Sequence, residues 1–145
     1  MSGGFAVHDD HIHLISDHLV NAMSKVSLSD VDATVEVDSL LNVSDINWKF
    51  WDLIEKMAPF GVSNSKPLFM LKKVTVVGYK KFGKAQEHVE VRVGDENGAI
   101  LPAISFFSDI VVAVNDVIDM VATVEKSSFK GRPELRLRVV EVLKK

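Results

Sequence analysis

The feature that most limits what this chain can fold into is a change of period near residue 69. Upstream, apolar residues recur at helical spacing; downstream, they alternate two by two, the signature of strands with one buried face. Downstream, a first strand is expected over Leu68–Val77 and a second over His88–Gly94, with Val89, Val91 and Val93 facing in and Glu90 and Arg92 facing out. Asp95-Glu96-Asn97-Gly98 supplies a tight turn, because Asn-Gly accepts positive φ at little cost. A third strand follows over Ala99–Phe106. Phe107–Val114, which contains Ser108-Asp109, reads as one or two helical turns closed by Asn115-Asp116. A fourth strand spans Val117–Glu125 and a fifth Glu134–Val142, with Leu135, Leu137 and Val139 inward and Arg136 and Arg138 outward.

Three strands, a short helix and two more strands is the order of an OB-fold, a five-stranded, partly open Greek-key barrel. With the helical and strand segment that precedes it, the chain is expected to be α+β. The long connections then fall at Gly78–Glu87 and Lys126–Pro133, the two loops that frame the ligand groove of this architecture. The first holds Tyr79, Lys80, Lys81, Phe82 and Lys84; the second holds Lys126, Phe129, Lys130 and Arg132. A single-strand binder needs cations for phosphates and flat rings on which bases stack. Tyr79, Phe82 and Phe129 are therefore the candidate stacking residues. Lys80, Lys81, Lys84, Lys126, Lys130 and Arg132 are the candidate phosphate contacts, extended by the outward-facing Arg92, Arg136 and Arg138.

Charge agrees with that division. Residues 1–66 carry four Lys/Arg against ten Asp/Glu, whereas residues 67–145 carry thirteen against ten, so only the second part attracts a polyanion. The absence of cysteine excludes a disulfide framework, a thiolate zinc site and a cysteine nucleophile. No apolar run approaches the ~18 residues of a membrane span, and Met1-Ser2-Gly3-Gly4 lacks the basic start of a signal peptide, so the chain reads as soluble and cytoplasmic.

Upstream, Gly4-Phe5-Ala6-Val7 reads as a short strand and Asp9 or Asp10 as the cap of a helix whose face is Ile12, Ile15, Leu19, Ala22, Met23 and Val26. Val31, Ala33, Val35 and Val37 alternate with polar residues as in a strand. Ser44 or Asp45 caps a second helix with Ile46, Phe50, Leu53, Ile54 and Met57 on one face, stopped by Pro59 and Gly61. Trp48 and Trp51 are expected to pack between the two halves of the chain. His8, Asp9, Asp10, His11, His13 and His18 have metal-ligand density, but His8 and His11 straddle a strand-to-helix junction and His13 points away from His11; a solvated helix start is the reading adopted, with no metal site. No nucleophile–base pair and no Gly-rich phosphate loop is present, so no catalytic residue is assigned.

The segment Met57-Ala58-Pro59-Phe60-Gly61-Val62-Ser63-Asn64-Ser65-Lys66-Pro67-Leu68-Phe69 resembles the C-terminal region of the RecJ family, single-strand-specific DNA exonucleases in which a Glu-Pro-Phe-Gly-x-Gly-Asn-Pro-x-Pro-x-Phe segment precedes an OB-fold. Pro59, Phe60, Gly61, Asn64, Pro67 and Phe69 match in register; Ala58, Ser63 and Ser65 depart. His88, Ala103-Ile104-Ser105-Phe106 and Phe129-Lys130-Gly131 before Leu135-Arg136-Leu137 extend the resemblance, and Gly3-Gly4-Phe5-Ala6-Val7 looks like the closing strand of the DHH-associated domain. The resemblance implies three parts: a DHH-associated remnant over 1–43, a connecting helix and Pro-Phe-Gly linker over 44–66, and an OB-fold over 67–145. It also implies that catalysis belongs to a DHH phosphoesterase domain elsewhere in the parent enzyme, a hydrolase using divalent Mn or Mg, and that this portion needs no cofactor and is itself non-catalytic. The expected partner is single-stranded DNA, in repair and recombination, with no membrane. The alternative is a structural or docking module that clamps the catalytic core or recruits a repair protein.

Overall fold

The alternating residues close into a barrel because one long strand changes partners halfway along. The computed structural model describes residue 4 and residues 6–25, 34–108, 110–129 and 131–144, with the backbone alone at 144. Two compact units result, residues 1–35 and 36–145.

In the first unit a 3₁₀ helix, Asp9–Leu14, runs into α1, Ile15–Met23. Neither Asp9 nor Asp10 caps it: His8 holds the capping position without a side-chain bond, and its ring instead lies 3.3 Å from the Asp10 carboxylate. Residues 4, 6 and 7 are not in a strand, so the short strand expected at Gly4–Val7 does not form among the described residues; Phe5 and Val26 lie outside them. No described helix is long and apolar enough to cross a membrane.

The strand expected over residues 31–37 is displaced into the second unit. Residues 31–33 lie outside the described residues, 34–37 are irregular, and the strand, β1, is Ser39–Leu41. Its partner decides this rather than its own alternation. The Asp38 amide donates to the Leu68 carbonyl and the Asp38 carboxylate accepts from the Leu68 amide, both at 2.8 Å, which opens a parallel ladder with β2 at Ser39↔Phe69. A 3₁₀ turn, Val43–Asp45, then leads into α2, Trp48–Glu55. The cap of α2 is Asn47, whose side chain accepts from the Phe50 amide at 3.1 Å, not Ser44 or Asp45. Ile46 and Ile54 are buried and Phe50 meets Phe69 edge-on at 5.5 Å, which seats the helix on the barrel; Leu53 and Met57 stay exposed. Trp51 packs against the core while Trp48 is exposed.

The barrel comprises β2 (Phe69–Phe82), β3 (His88–Gly94), β4 (Ile100–Phe106), β5 (Val117–Ser127) and β6 (Glu134–Lys144). Neighbours run β2-β3-β4-β6-β5, and β2 pairs with β5 to close the ring. All pairs are antiparallel except β4–β6, which is parallel at Ala103↔Leu137. The first half of β2 pairs with β5 and the second half with β3; bulges between Leu71 and Val74 and between Val76 and Gly78 bend the strand between its two partners. Inside lie Leu71, Val76, Val89, Val93, Met120 and Leu137, essentially without solvent contact.

Two expectations for the barrel are corrected. The strand β2 does not stop at Val77 but continues through Gly78 to Phe82, because the glycine sits at a bulge where the Arg92 side chain lies over it, 3.6 Å from where a Cβ would project. No helix forms among the described residues of 107–114. The amides there find other acceptors: Ser108 donates to the Glu87 carbonyl (3.1 Å), Ala113 to the Asp116 carboxylate (2.8 Å) and Asn115 to the Val76 carbonyl (2.7 Å). The Ser108 and Asn115 bonds fasten the two ends of the segment to Glu87, just before β3, and to β2, and the Ala113 bond closes a local turn, in place of an intrahelical ladder.

Candidate nucleic-acid interface

Alternation along each strand leaves one outer face, and the ladder shows which side chains meet on it. In one row Lys80, Glu90, Ile104 and Arg138 are successive cross-strand neighbours on β2, β3, β4 and β6. In the next row stand Phe82, His88 and Phe106, and on the other side Arg92 and Pro102. Between this face and the end of β5 runs a groove of about 470 Å³. Lys80 and Phe82 line one wall, Pro102, Ile104 and Phe106 its floor, and Ser127, Phe129, Glu134 and Arg136 the other wall.

The rings form a connected set. Phe82 lies 5.2 Å from His88 and 6.1 Å from Phe106, and His88 lies 4.9 Å from Phe106, with edge or tilted geometry throughout. The Arg138 guanidinium sits over the Phe106 ring at 4.1 Å, a cation–π contact that leaves its charge on the outer face. At the mouth, Phe129 is 93% exposed, held by its amide's bond to the Ser127 hydroxyl (3.4 Å).

The charge of the groove is mixed. Lys80 and Arg136 face Glu90 and Glu134 along the lining. Arg136 donates through Nη2 and Nε to one oxygen of Glu125, at 3.1 and 3.3 Å, and Glu125 also lies 3.7 Å from Lys66 of the linker. Its guanidinium is thus committed to the wall. Glu87, at the foot of β3, accepts from the Ala85 amide at 2.8 Å, and a Cβ at Gly83 (φ +97°) would collide with its carboxylate at 2.6 Å. Bonding to its own amide, then to that of Ala85, holds the Glu87 carboxyl below its ordinary pKa against a desolvation penalty; the adjacent His88 ring adds to this, with Nε2 at 3.6 Å.

The structure gathers some of the expected residues and separates others. Lys80, Phe82, Phe129 and Arg136 line one groove, with Arg138 and Arg92 on the same outer face. Lys84 and Arg132 are exposed in the connecting loops, which shrink to 83–87 and 128–133, and Lys130 lies outside the described residues. Lys81 and Lys126 stand on the opposite side of their strands, paired with the buried Val89 and Leu135. Tyr79 is no loop residue: it packs against the core, and its hydroxyl donates to the Ile110 carbonyl at 3.3 Å. Sequence reasoning missed Phe106, Ile104 and Pro102 as groove floor; their signal was the outward phase of β4, fixed by pairing with Glu90 and Arg92.

The sequence matches the family described as the RecJ OB domain over residues 37–141. None of the curated proteins matches it significantly. Among solved structures, RecJ of Thermus thermophilus in complex with Mg2+ superposes with a TM-score of 0.63 at 15% identity, over 98% of this chain and 21% of that one. The same enzyme in complex with Mn2+ gives 0.63 at 14% identity, over 98% and 20%. The chain therefore spans about a fifth of the length of the RecJ structures it matches. With a family match that runs from before β1 into β6 and a closed sheet whose strand order is that of an OB-fold, this chain belongs to the RecJ OB domain family.

Proposed function

We propose that this module grips single-stranded DNA without reading its sequence, as part of a RecJ-like 5′→3′ exonuclease acting in DNA repair and recombination. The observation that carries the reading is the convergence of Lys80, Phe82, Phe106 and Phe129 on one groove, flanked by Arg92 and Arg138. Flat rings accept any base by its face, and cations on the rim neutralise the phosphates between. Nothing on the floor, which is Pro102, Ile104 and Phe106, offers the paired donors and acceptors that base-edge readout requires.

Hydrolysis by the parent enzyme is a metal-dependent step performed elsewhere. Among the described residues no three His, Asp or Glu side chains stand close enough to hold a divalent ion. The role of these residues is to hold the strand and present its 5′ end. Fluorescence anisotropy with a labelled oligo-dT at 50 and 200 mM salt tests this. Binding that weakens as salt rises supports the reading; a folded protein that binds no oligonucleotide even at 50 mM salt overturns it.

A further inference from the structure

We propose that Phe107 is a separate base-stacking residue, which carries a bound single strand out of the groove and across His88; this rests on the groove's role proposed above. Strand β4 ends in two consecutive phenylalanines. Phe106 faces the groove, and a strand that simply continued would turn Phe107 inward. Instead the backbone at Phe107 adopts φ 51°, a left-handed conformation that a bulky side chain rarely takes, and the ring is 82% exposed. Neither choice serves stability: burial would favour the ring inside, and the backbone would favour glycine or asparagine.

The ring is also held in place. The Phe107 amide donates to Nδ1 of His88 at 3.2 Å, the His88 ring meets Phe107 nearly perpendicularly at 4.8 Å, and the next amide, of Ser108, donates to the Glu87 carbonyl. His88 also touches Phe82 and Phe106, both of which line the groove, so Phe107 extends that connected set of rings beyond it. A strained, exposed and pinned ring is suited to stacking on a flat apolar face. The occupant is a nucleobase rather than a phosphate, since the Glu87 carboxylate lies against His88 here and repels an anion, while the Arg138 guanidinium stands over Phe106.

The test uses the 145-residue chain, with labelled oligo-dT of increasing length as probe and thermal melting as a second readout. Phe107→Gly is expected to melt at or above the wild-type temperature, because glycine relieves the left-handed backbone. It should nevertheless bind long oligonucleotides at least about fivefold more weakly, the lower bound for one lost stacking contact, while short oligonucleotides confined to the groove bind as before. Unchanged affinity for every length, with Phe129→Ala impaired, overturns the Phe107 assignment and leaves the groove standing. A wild-type protein that binds no oligonucleotide overturns both. Should the glycine variant fail to fold, Phe107→Asn, which tolerates the same φ, replaces it with the same two outcomes.

Discussion

Lys80→Gln and Phe129→Ala separate the two physical contributions that an oligonucleotide would draw from this groove. The outer face presents three cations that take no part in an ion pair among the described residues, Lys80, Arg92 and Arg138, whereas Arg136 is held by Glu125. Neutralising about three phosphates of a single strand gives a slope of log affinity against log salt of roughly −2, or about a 20-fold loss between 50 and 200 mM. Removing Lys80 leaves about two contacts, so the slope relaxes to roughly −1.4 and the loss to about sevenfold. Phe129 is uncharged and 93% exposed. Its truncation should leave both the slope and the melting temperature unchanged and lower the whole line by about 1–3 kcal/mol, some 5- to 150-fold at every salt concentration. Anisotropy titrations at four salt concentrations measure both. The reasoning is refuted if Lys80→Gln leaves the slope alone, if Phe129→Ala changes it, or if the wild-type slope is steeper than about −4, which would demand more phosphate contacts than this face presents.

Three other outcomes follow from the same structure. Leu71→Ala, at a position with no solvent contact, should cost about 2–5 kcal/mol in urea unfolding, since the barrel around it cannot collapse into the space. Tyr79→Phe deletes only the bond to the Ile110 carbonyl; about 0.5–1.5 kcal/mol of stability is lost and oligo-dT affinity stays at the wild-type value, whereas a fall in affinity would return Tyr79 to the binding face. Asp95 is desolvated, which alone would raise its pKa, but bonds from Ser44 and from the amides of Ala99 and Asn97 outweigh this and hold it below the ordinary value. Its contribution is therefore in place above the ordinary carboxylate pKa and lost as pH falls through its own lower one. The stability gap between wild type and Asp95→Asn should be widest near neutrality and shrink on acidification; a gap independent of pH refutes the assignment.

Much of the barrel was legible because its strands carry their own phase. Val89, Val91 and Val93 are buried while Arg92 between them is exposed, and Leu135, Leu137 and Val139 repeat the pattern in β6. The bounds of β3 and the Asn97-Gly98 turn, with Gly98 at φ +81°, needed nothing beyond local chemistry. Where a distant partner decides, local signals misled. Phe107–Val114 reads as one or two helical turns, yet the amides at its two ends, of Ser108 and Asn115, are claimed by the distant carbonyls of Glu87 and Val76. The alternation at 31–37 reads as a strand, yet the parallel ladder with β2 begins only where Asp38 and Leu68 exchange hydrogen bonds.

The groove depends on a feature still less visible in the sequence. Upstream of the bulge in β2, Val74 and Val76 point into the barrel, so an unbroken strand would send positions 78, 80 and 82 inward as well. That would bury the Lys80 ammonium and turn Tyr79 and Lys81 toward the groove. The ladder instead pairs Val76 with Val93 and Gly78 with Arg92, which leaves Val77 as an extra residue and reverses the phase beyond it. Tyr79 then joins the core, while Lys80 and Phe82 reach the outer face. Val77 bears the cost, an apolar side chain left 42% exposed and without a pairing partner on β3. Residue type and loop position identify lysines and rings near an oligonucleotide groove, but the parity of a strand decides which of them enter it. Here one inserted residue sets that parity.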